Sequence, residues 1–428
     1  MKVLIISRCF PPDTSIGGVR PFMFAKYLSK FGHDVTVLNS GLIFSKEDKS
    51  YESYLKEMKI LSVYKRKPQH HQTRSTESWT KNTPKFLKTL YVALREPAAI
   101  LVEKRRFNNL FKEYKKIIDS LKGNNFDVVF STYSPIADIY AGEYASRVLG
   151  CRWVMDFRDA LVQPNSRSWL WNVCYYNTQR RAVKKCDVCT TVSNGVGRMV
   201  SIGTKNANIV TLYNGYDDER QVYGCKKSKY LTFCYTGNIY GMRMAAMKRL
   251  FVAIDRLIRT GQISLENIRL NYAGSQAELL KDVMSSYGLQ SILANHGYLT
   301  IEECEKLQRS SDFFLVLSWN TKKEQGILTG KFYEGVRAQM PMIVLVVGDT
   351  PNSELSELNE EYHYGFCGEE AAGERSMDNL CNYIKQKYDE KISFGELRYV
   401  QDDRLTKKFK YEQLTRELEK LCIKMLNK

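Results

Sequence analysis

The segment 326–334, with the sequence GILTGKFYE, combines residue types at a spacing that could bind a phosphorylated ligand. It predicts a loop that opens a helix, with Thr329 as the N-cap. Gly330 and Lys331 would then present backbone N–H groups and a cation to an anion. Glu334 follows about one turn after Gly330, and its carboxylate could accept hydrogen bonds from the two hydroxyls of a ribose. The segment therefore indicates a sugar nucleotide, although a core helix after an exposed loop would have the same pattern.

A pair of glycines lies in a similar position near the N-terminus. The pattern predicts an apolar strand over 2–7, a helix over about 19–30 and a strand over 34–39, which together make a βαβ unit. Gly17 and Gly18 precede the helix, where they would let the backbone approach a ligand closely or would simply form a turn. The sequence lacks the motif Gly-x-Gly-x-x-Gly, so a nicotinamide or flavin cofactor is not indicated.

Strand-like and helical segments alternate through both halves of the 428-residue chain. This pattern predicts an α/β protein with two doubly wound, Rossmann-like domains facing a cleft, where the carboxyl ends of the strands bind ligand. The predicted boundaries are 1–216 for the N-terminal domain, with a basic insert at about 46–119, then 217–229 for a polar linker, 230–402 for the C-terminal domain and 403–428 for one amphipathic helix.

The chain is strongly basic, with a formal net charge of +17. Such a charge attracts an anionic partner, which could be nucleic acid, phospholipid or a phosphorylated substrate. The insert at 46–119 holds 18 basic and 9 acidic residues, which is about half of the excess. No nucleic-acid recognition motif is visible, so nucleic acid is not expected as a partner.

Cysteine usage and hydropathy bear on the compartment. The 11 cysteines are scattered, apart from Cys186 and Cys189, and no zinc-site spacing is completed. Free thiols and the lack of a signal peptide favour the cytoplasm, and no apolar run reaches the roughly 20 residues of a membrane span. Basic and aromatic residues alternate over 60–107, which suits an anionic membrane surface, although a solvated loop and helix face would look the same.

Six short motifs, in the same order along the chain, resemble those of glycosyltransferase family 4, whose members are retaining enzymes with the GT-B fold. The resemblance runs from residue 2 to about 425, and one motif, DFRD, is common in a bacterial branch of the family. The matching pieces are FPP at 10–12 before GGVR at 17–20, FGHDVTV at 31–37, DFRD at 156–159, Ser193 with NGYD at 214–217, YTGNIYGMR at 235–243 and TGKFYE at 329–334.

The resemblance implies roles for individual residues. Glu334 binds the ribose, and the backbone amides of Thr329, Gly330 and Lys331 hold the diphosphate. Arg243 is the cationic partner of the diphosphate, with Lys248 assisting, and Gly17 and Gly18 bring first-domain backbone against the donor phosphates on closure. Neither an Asp-x-Asp motif nor a cofactor motif is present, so the resemblance implies a metal-independent transfer with the nucleotide sugar as substrate.

Two features of the sequence leave the sugar and the catalytic group open. Gly326 stands where relatives often have a Glu that contacts the donor sugar, and Glu324 lies two positions earlier. Asp159 is the candidate that faces the acceptor hydroxyl, with Arg158 beside it. Alternatively, Arg158 pairs with a neighbouring carboxylate and only fixes the loop.

The expected function is transfer of a sugar from a nucleotide sugar, with uridine favoured over guanosine. By resemblance, the acceptor is a polyprenyl-diphosphate-linked saccharide or a polysaccharide in capsule, O-antigen or exopolysaccharide synthesis. The enzyme would then work in the cytoplasm at the inner face of the cell membrane. Two alternatives are a sugar-nucleotide epimerase of the same fold and a non-catalytic basic binding module.

Overall fold

The computed structural model describes residues 1–43, 51–64, 67–68, 85–163, 168–204, 207–217 and 228–427. The chain forms two compact units, of which the first contains Met1–Tyr213 with Leu414–Lys428 and the second contains Asn214–Gln413. Parts of the predicted basic insert and most of the predicted linker at 217–229 lie outside the described residues.

The first unit is built on a seven-stranded sheet whose strand pairs are all parallel. Its elements are β1 (Lys2–Ile6), α1 (Ile16–Lys30), β2 (Asp34–Asn39), β3 (Leu42–Ile43), α2 (Glu52–Leu55), β4 (Lys59–Ser62), β5 (Lys67–Pro68), α3 (Lys85–Ser120), β6 (Val128–Tyr133), α4 (Ile136–Leu149), β7 (Arg152–Phe157), α5 (Trp169–Lys185), β8 (Val188–Thr191), α6 (Asn194–Val200) and β9 (Ile209–Thr211). The strand order is β4-β2-β1-β6-β7-β8-β9, and β3 pairs separately with β5.

The second unit has the same type of architecture, with a six-stranded parallel sheet. Its elements are β10 (Leu231–Thr236), α7 (Met242–Arg259), β11 (Ile268–Ala273), α8 (Ala277–Ser285), β12 (Leu293–Asn295), α9 (Ile301–Ser310), β13 (Phe313–Trp319), α10 (Gly330–Ala338), β14 (Met342–Val347), α11 (Glu354–Tyr362), β15 (Gly365–Glu369), α12 (Gly373–Phe394) and α13 (Asp403–Lys408), followed by α14 (Tyr411–Leu426), most of which belongs to the first unit. The strand order is β12-β11-β10-β13-β14-β15.

Continuous apolar strands explain why both sheets are buried on both faces. In β1, the residues Val3, Leu4, Ile5 and Ile6 are at most 2% exposed, and the strand lies between β2 and β6 with α4 packed on it. A parallel sheet covered on both faces needs apolar runs rather than alternation. The predicted α/β class and the two doubly wound sheets are confirmed.

Some predicted boundaries change. Helix α1 begins at Ile16 rather than at about residue 19, so Gly17 and Gly18 lie in its first turn. The insert contributes an edge strand, β4, which pairs with β2 and was not predicted, and it continues into the 36-residue helix α3.

The predicted single helix over 403–428 is wrong, because the helix is interrupted after α13. Phe409 is fully buried and packs edge-to-face on Phe332 and Tyr333, each at 5.4 Å between ring centroids. The Tyr411 N–H donates to the carbonyl of Tyr216 at 3.0 Å, which removes it from the helical ladder. Helix α14 then starts afresh, and in the first unit Glu419 contacts His33 at 2.7 Å.

A buried ion pair connects helix α1 to several strands of the first unit. The Arg20 guanidinium donates to both oxygens of Asp156, at 2.8 to 3.3 Å, and both side chains are at most 2% exposed. Asp156 also accepts hydrogen bonds at 2.8 Å from the hydroxyls of Thr132 and Thr190 on the neighbouring strands. The remaining guanidinium hydrogens reach the carbonyls of Leu212 and Tyr213. The pair therefore joins α1 to the ends of β6, β7 and β8 and to the chain after β9.

Candidate functional site

The predicted anion-binding segment forms the N-terminus of α10. The helix begins at Gly330, as predicted, with Thr329 as the extended N-cap residue. The Thr329 side chain, however, makes no capping hydrogen bond, and its buried hydroxyl has no partner among the described residues. The first N–H groups of α10 are therefore not satisfied by this side chain, which is the usual condition of an anion site at a helix N-terminus.

Four polar side chains form one cluster next to this helix end, and we call them the α10 cluster: Thr236, Gln308, Lys331 and Glu334. The Lys331 ammonium contacts both Glu334 oxygens, at 2.6 and 2.8 Å, and the Thr236 hydroxyl at 3.3 Å. The Gln308 amide nitrogen donates to the Thr236 hydroxyl at 2.8 Å and to a Glu334 oxygen at 3.2 Å. Thr236 and Gln308 are each 2% exposed, so the charged pair rests on a buried polar base.

The cluster lies where α/β sheets bind ligands. Thr236 ends β10, and α10 follows β13, which is the strand paired with β10. Between these two strands the connections change direction, since β11 and β12 lie on one side and β14 and β15 on the other. Crevices at such switch points, at the carboxyl ends of the strands, are the general ligand sites of open parallel sheets.

The loop after β10 brings Arg243 to the same end of the sheet. Arg243 is the second residue of α7 and stacks on Tyr240, 5.4 Å from the ring centroid. It donates to the carbonyl of Asn238 at 3.4 Å and has no carboxylate partner in the described part of the chain. Burial raises the pKa of the nearby Tyr235 to about 12, with Arg243 lowering and Glu334 raising it. The Tyr235 phenol is thus within electrostatic range of both predicted site residues.

Gly237, in the same loop, has a backbone conformation that favours glycine, with φ of +132°. A Cβ atom there would lie 3.3 Å from Cε of Lys331. A side chain at this position would therefore crowd the lysine at the end of β10.

The structure does not bring Lys248 to this cluster. Lys248 follows Arg243 by five residues, which turns it about 140° around the helix and places it about 7.5 Å further along the axis. Its side chain is exposed. The predicted role of Lys248 stays a prediction.

The structure gives a physical reason for Gly326. Its φ is +70°, in the left-handed region, and it is buried in the loop between β13 and α10, so a glutamate would be strained there. The nearby Glu324 accepts a hydrogen bond from the Trp319 indole at 2.8 Å, and its N–H donates to the Thr321 hydroxyl. Glu324 thus closes a turn within the loop.

Arg158, in the first unit, holds backbone rather than a carboxylate. It donates to the carbonyls of Gly17, Tyr133 and Ser134, which fastens the loops after β1 and β6 to the end of β7. The expected ion pair with a neighbouring carboxylate is absent from the described contacts of Arg158. Asp159, by contrast, is exposed. Arg158 therefore has a positioning contact, while the catalytic role of Asp159 stays a prediction.

The two glycines lie close to other groups of the first unit. A Cβ atom on Gly18 would lie 3.2 Å from the Phe10 nitrogen, and one on Gly17 would lie 2.9 Å from the Arg158 guanidinium. Glycine at both positions allows this tight loop after β1. The glycines belong to the first unit and the predicted phosphate site to the second, so their contact with the donor phosphates stays a prediction.

One buried carboxyl group of the first unit is not predicted from the sequence. Asp138, in the first turn of α4, is fully buried and accepts a hydrogen bond from the Arg8 N–H at 2.8 Å. Burial raises its pKa from 3.8 to about 7, while Arg8, Arg158 and the neighbouring Tyr114 hydroxyl lower it. The only sequence signal was an acidic residue in an otherwise apolar helix start.

Asp138 should make the stability of the protein depend on pH. Because its folded pKa is raised, its contribution is fully present below about pH 4 and is lost as the pH rises through about 7. The difference between 3.8 and about 7 corresponds to about 4 kcal/mol at about 1.4 kcal/mol per pKa unit. We expect Asp138→Asn to be more stable than wild type at pH 8 and to lose this advantage at pH 4, as measured by urea unfolding. The same advantage at both pH values would contradict the assignment.

A cavity of about 410 Å³ opens in the first unit, at the ends of β1, β2 and β4. Its wall is both apolar and polar. The residues that give it this character include Arg8, Phe10, Asp13, Asn39, Leu42 and Lys56. An aromatic ring beside amide, carboxylate and cationic groups suits a polar ligand with an apolar face.

The predicted membrane segment at 60–107 is only partly described. Within α3, Leu101 and Val102 are 66% and 52% exposed, and the exposed residues Lys104, Arg105 and Arg106 follow after Glu103. Residues 65–66 and 69–84, which include Trp79, lie outside the described residues. None of the described helices has the length and apolar character needed to cross a membrane.

Among the described residues, no three His, Cys, Asp or Glu side chains come together as they would around a metal ion.

Comparison with known proteins gives both a family match and a fold. Residues 18–220 match the model of Glycosyltransferase Family 4. No curated protein sequence matches the chain.

Solved structures align with nearly the whole chain at low identity. A glycosyltransferase from Rickettsia africae has a TM-score of 0.57 and 13% identity, covering 99% of this chain and 98% of its own. Anabaena Alr3699/HepE, solved with UDP and glucose, has a TM-score of 0.57 and 11% identity, covering 99% and 100%. A putative UDP-N-acetylglucosamine 2-epimerase from Listeria monocytogenes has a TM-score of 0.50 and 11% identity, covering 98% and 94%.

These identities are low enough that the structural matches establish the fold alone. The predicted resemblance to glycosyltransferase family 4 is supported over residues 18–220, and the predicted GT-B fold is confirmed. In sequence over residues 18–220 the chain is similar to glycosyltransferase family 4, and in fold it matches the GT-B glycosyltransferases.

Proposed function

We propose that this protein is a glycosyltransferase that uses a UDP-sugar as donor. The observation that carries the proposal is the α10 cluster at the switch point of the second sheet, next to the N-terminus of α10 and Arg243. It offers a carboxylate for a ribose and two cations for a diphosphate, in the part of an α/β sheet where ligands bind. Anabaena Alr3699/HepE, with the same fold, was solved with UDP and glucose.

The geometry suits departure of a nucleoside diphosphate. Negative charge grows on the diphosphate as its bond to the sugar breaks. Arg243, Lys331 and the first N–H groups of α10 would stabilise that charge, because fixed donors aimed at developing charge need no reorganisation during the reaction. We propose that the transfer proceeds with retention and without a metal, with the acceptor hydroxyl near Asp159.

The acceptor is proposed to occupy the cavity of the first unit. A pyranose has an apolar face that can stack on Phe10 and hydroxyl groups that can bond to Asp13 and Asn39, which line the same wall. Arg8 and Lys56 add positive charge, which suits a diphosphate linked to the saccharide. This favours a lipid-linked saccharide, as in capsule or O-antigen synthesis.

Donor use is tested by measuring UDP release from a panel of UDP-sugars, preceded by thermal-shift screening with UDP, since a bound ligand raises the melting temperature. We expect Glu334→Ala to lower kcat/KM by about 10- to 100-fold, because charge-assisted hydrogen bonds contribute about 1.5–3 kcal/mol each. Glu357→Ala, which removes an exposed glutamate from α11, is the matched control. If UDP neither shifts the melting temperature nor is released from any donor, the proposal is wrong.

A sugar-nucleotide epimerase is the second candidate, because the Listeria protein shares the fold. The family match over residues 18–220 favours the transferase. Incubation with each UDP-sugar and no acceptor separates the two, since an epimerase would form a second sugar nucleotide, whereas a transferase would need an acceptor for net transfer. Activity that is lost in Glu334→Ala would in turn reject a non-catalytic binding module.

We also propose that the enzyme docks on the inner face of the cell membrane through the segment 60–107. The exposed Leu101 and Val102 lie next to three exposed cations on α3. Each such cation near an anionic surface contributes about 1 kcal/mol, and the apolar pair could enter the interface.

Liposome co-sedimentation tests this docking. Replacing Lys104, Arg105 and Arg106 by Gln should reduce binding to vesicles containing anionic lipid by about 10-fold or more at low salt, because the three contributions are lost together. Binding of wild type to purely neutral vesicles should be weak. Binding that is equal on neutral and anionic vesicles, and unaffected by salt, would argue against the proposal.

A further inference from the structure

In the structure, the lysine that would meet the donor phosphates is already engaged. The Lys331 ammonium contacts both Glu334 oxygens at 2.6 and 2.8 Å. The same carboxylate is the group that would bind the ribose. The contact between them therefore competes with both proposed ligand contacts, that of Lys331 with the phosphates and that of Glu334 with the ribose.

A bound diphosphate would compete with Glu334 for the Lys331 ammonium. It carries more negative charge than a carboxylate and offers several oxygens to a cation. With Lys331 drawn to the phosphates, Glu334 would lose its ammonium partner but gain the ribose hydroxyls as donors. Binding of the phosphates by Lys331 and binding of the ribose by Glu334 are therefore coupled through the ion pair between these two residues.

Gln308 gives Glu334 a second support that does not depend on Lys331. Its amide nitrogen lies 3.2 Å from a Glu334 oxygen and 2.8 Å from the Thr236 hydroxyl. The side chain is 2% exposed. Helix α9, which carries Gln308, is fastened to α10 by a separate ion pair between Glu305 and Arg337 at 2.7 Å. Gln308 would therefore stay in place while Lys331 moves.

We propose that the donor diphosphate exchanges Lys331 away from Glu334, and that Gln308 is the positioning residue that then holds the Glu334 carboxylate for the ribose. This inference rests on the proposed donor site. It assigns to Gln308 a role in ribose recognition that acts through Glu334, and it makes ribose recognition depend on the presence of phosphate.

The positioning role is tested by calorimetric titration with UDP and 2′,3′-dideoxy-UDP. The dissociation constant of dideoxy-UDP divided by that of UDP measures what the ribose hydroxyls contribute to binding. We expect Gln308→Met, which keeps the length of the side chain but removes the donor, to lower this ratio by about five-fold and to change the affinity for dideoxy-UDP by less than about two-fold. Glu302→Gln, on the exposed side of α9, should leave the ratio unchanged.

The exchange is tested by repeating the comparison without phosphate. In wild type, uridine and 2′,3′-dideoxyuridine should differ less in affinity than the two diphosphates do, because Lys331 stays on Glu334. In Lys331→Ala this dependence on phosphate should disappear. Equal ratios with and without phosphate in wild type would overturn the exchange.

Other outcomes separate the inference from the proposed function. If Gln308→Met weakens the binding of UDP and of dideoxy-UDP equally, the role of Gln308 is structural and the positioning proposal is wrong. If Glu334→Ala leaves the ratio unchanged, the donor site itself is wrongly assigned. Gln308→Glu provides a second variant in case Gln308→Met does not fold. It replaces the donor by an acceptor beside Glu334 and should lower the ratio at least as far, and a ratio equal to wild type would again overturn the proposal.

Discussion

Replacement of Lys331 by alanine is expected to weaken UDP binding by roughly 10²- to 10³-fold. The variant loses a charge-assisted contact with the diphosphate, worth about 1.5–3 kcal/mol. It also leaves the Glu334 carboxylate, now without its ammonium partner, next to the negative charge of the ligand. Repulsion of this kind adds about 1–2 kcal/mol near a protein surface. The two contributions add to about 2.5–5 kcal/mol, and the middle of this range corresponds to the stated loss, since about 1.4 kcal/mol is a factor of ten in affinity.

Calorimetric titration with UDP measures this effect, and Lys281→Ala is the matched control because Lys281 is an exposed lysine on α8 of the same unit. The loss should not come from unfolding. Lys331 and Glu334 are 25% and 35% exposed, and pairs near the surface contribute at most about 1 kcal/mol to stability. A Lys331→Ala protein that binds UDP within about three-fold of wild type would show that the diphosphate lies elsewhere.

Replacement of Asp156 by alanine is expected to lower the free energy of unfolding of the first unit by about 3–5 kcal/mol. The substitution would leave the Arg20 guanidinium, which is 2% exposed, without its carboxylate partner, and an uncompensated buried charge has this cost. The hydroxyls of Thr132 and Thr190 would also lose their acceptor. Urea unfolding followed by the fluorescence of Trp153 and Trp171, both in the first unit, measures the change.

The same motif supplies the control for this experiment. Asp159 lies three residues later and is exposed, so Asp159→Ala should change stability by no more than about 0.5 kcal/mol. The double variant Arg20→Met/Asp156→Leu should be more stable than Asp156→Ala, because an apolar pair leaves no buried charge. Equal losses for Asp156→Ala and Asp159→Ala would mean that the buried pair does not hold the elements together.

The sequence by itself determined the local structure around α10 and the residue types present at the proposed donor site. The apolar runs at β1, β2, β13 and β14 could be recognised because parallel strands buried on both faces need no alternation. The start of α10 followed from Thr329 and Gly330, and the one-turn spacing placed Lys331 and Glu334 on one side of the helix. Such features depend on neighbours within about four residues, which the sequence displays directly.

Only the tertiary structure decided which distant side chains meet. Arg20 and Asp156 are 136 residues apart, and Gln308 and Glu334 are 26 apart. Each pair forms because the order of strands in a sheet sets neighbouring elements side by side, and that order depends on contacts across the whole unit. The interruption at Phe409 has the same origin, since a chain segment near Tyr216 takes a hydrogen bond that the helix would otherwise keep. The pairing of Lys331 with Glu334, and its support by Gln308, therefore became visible only when β10, α9 and α10 were placed together.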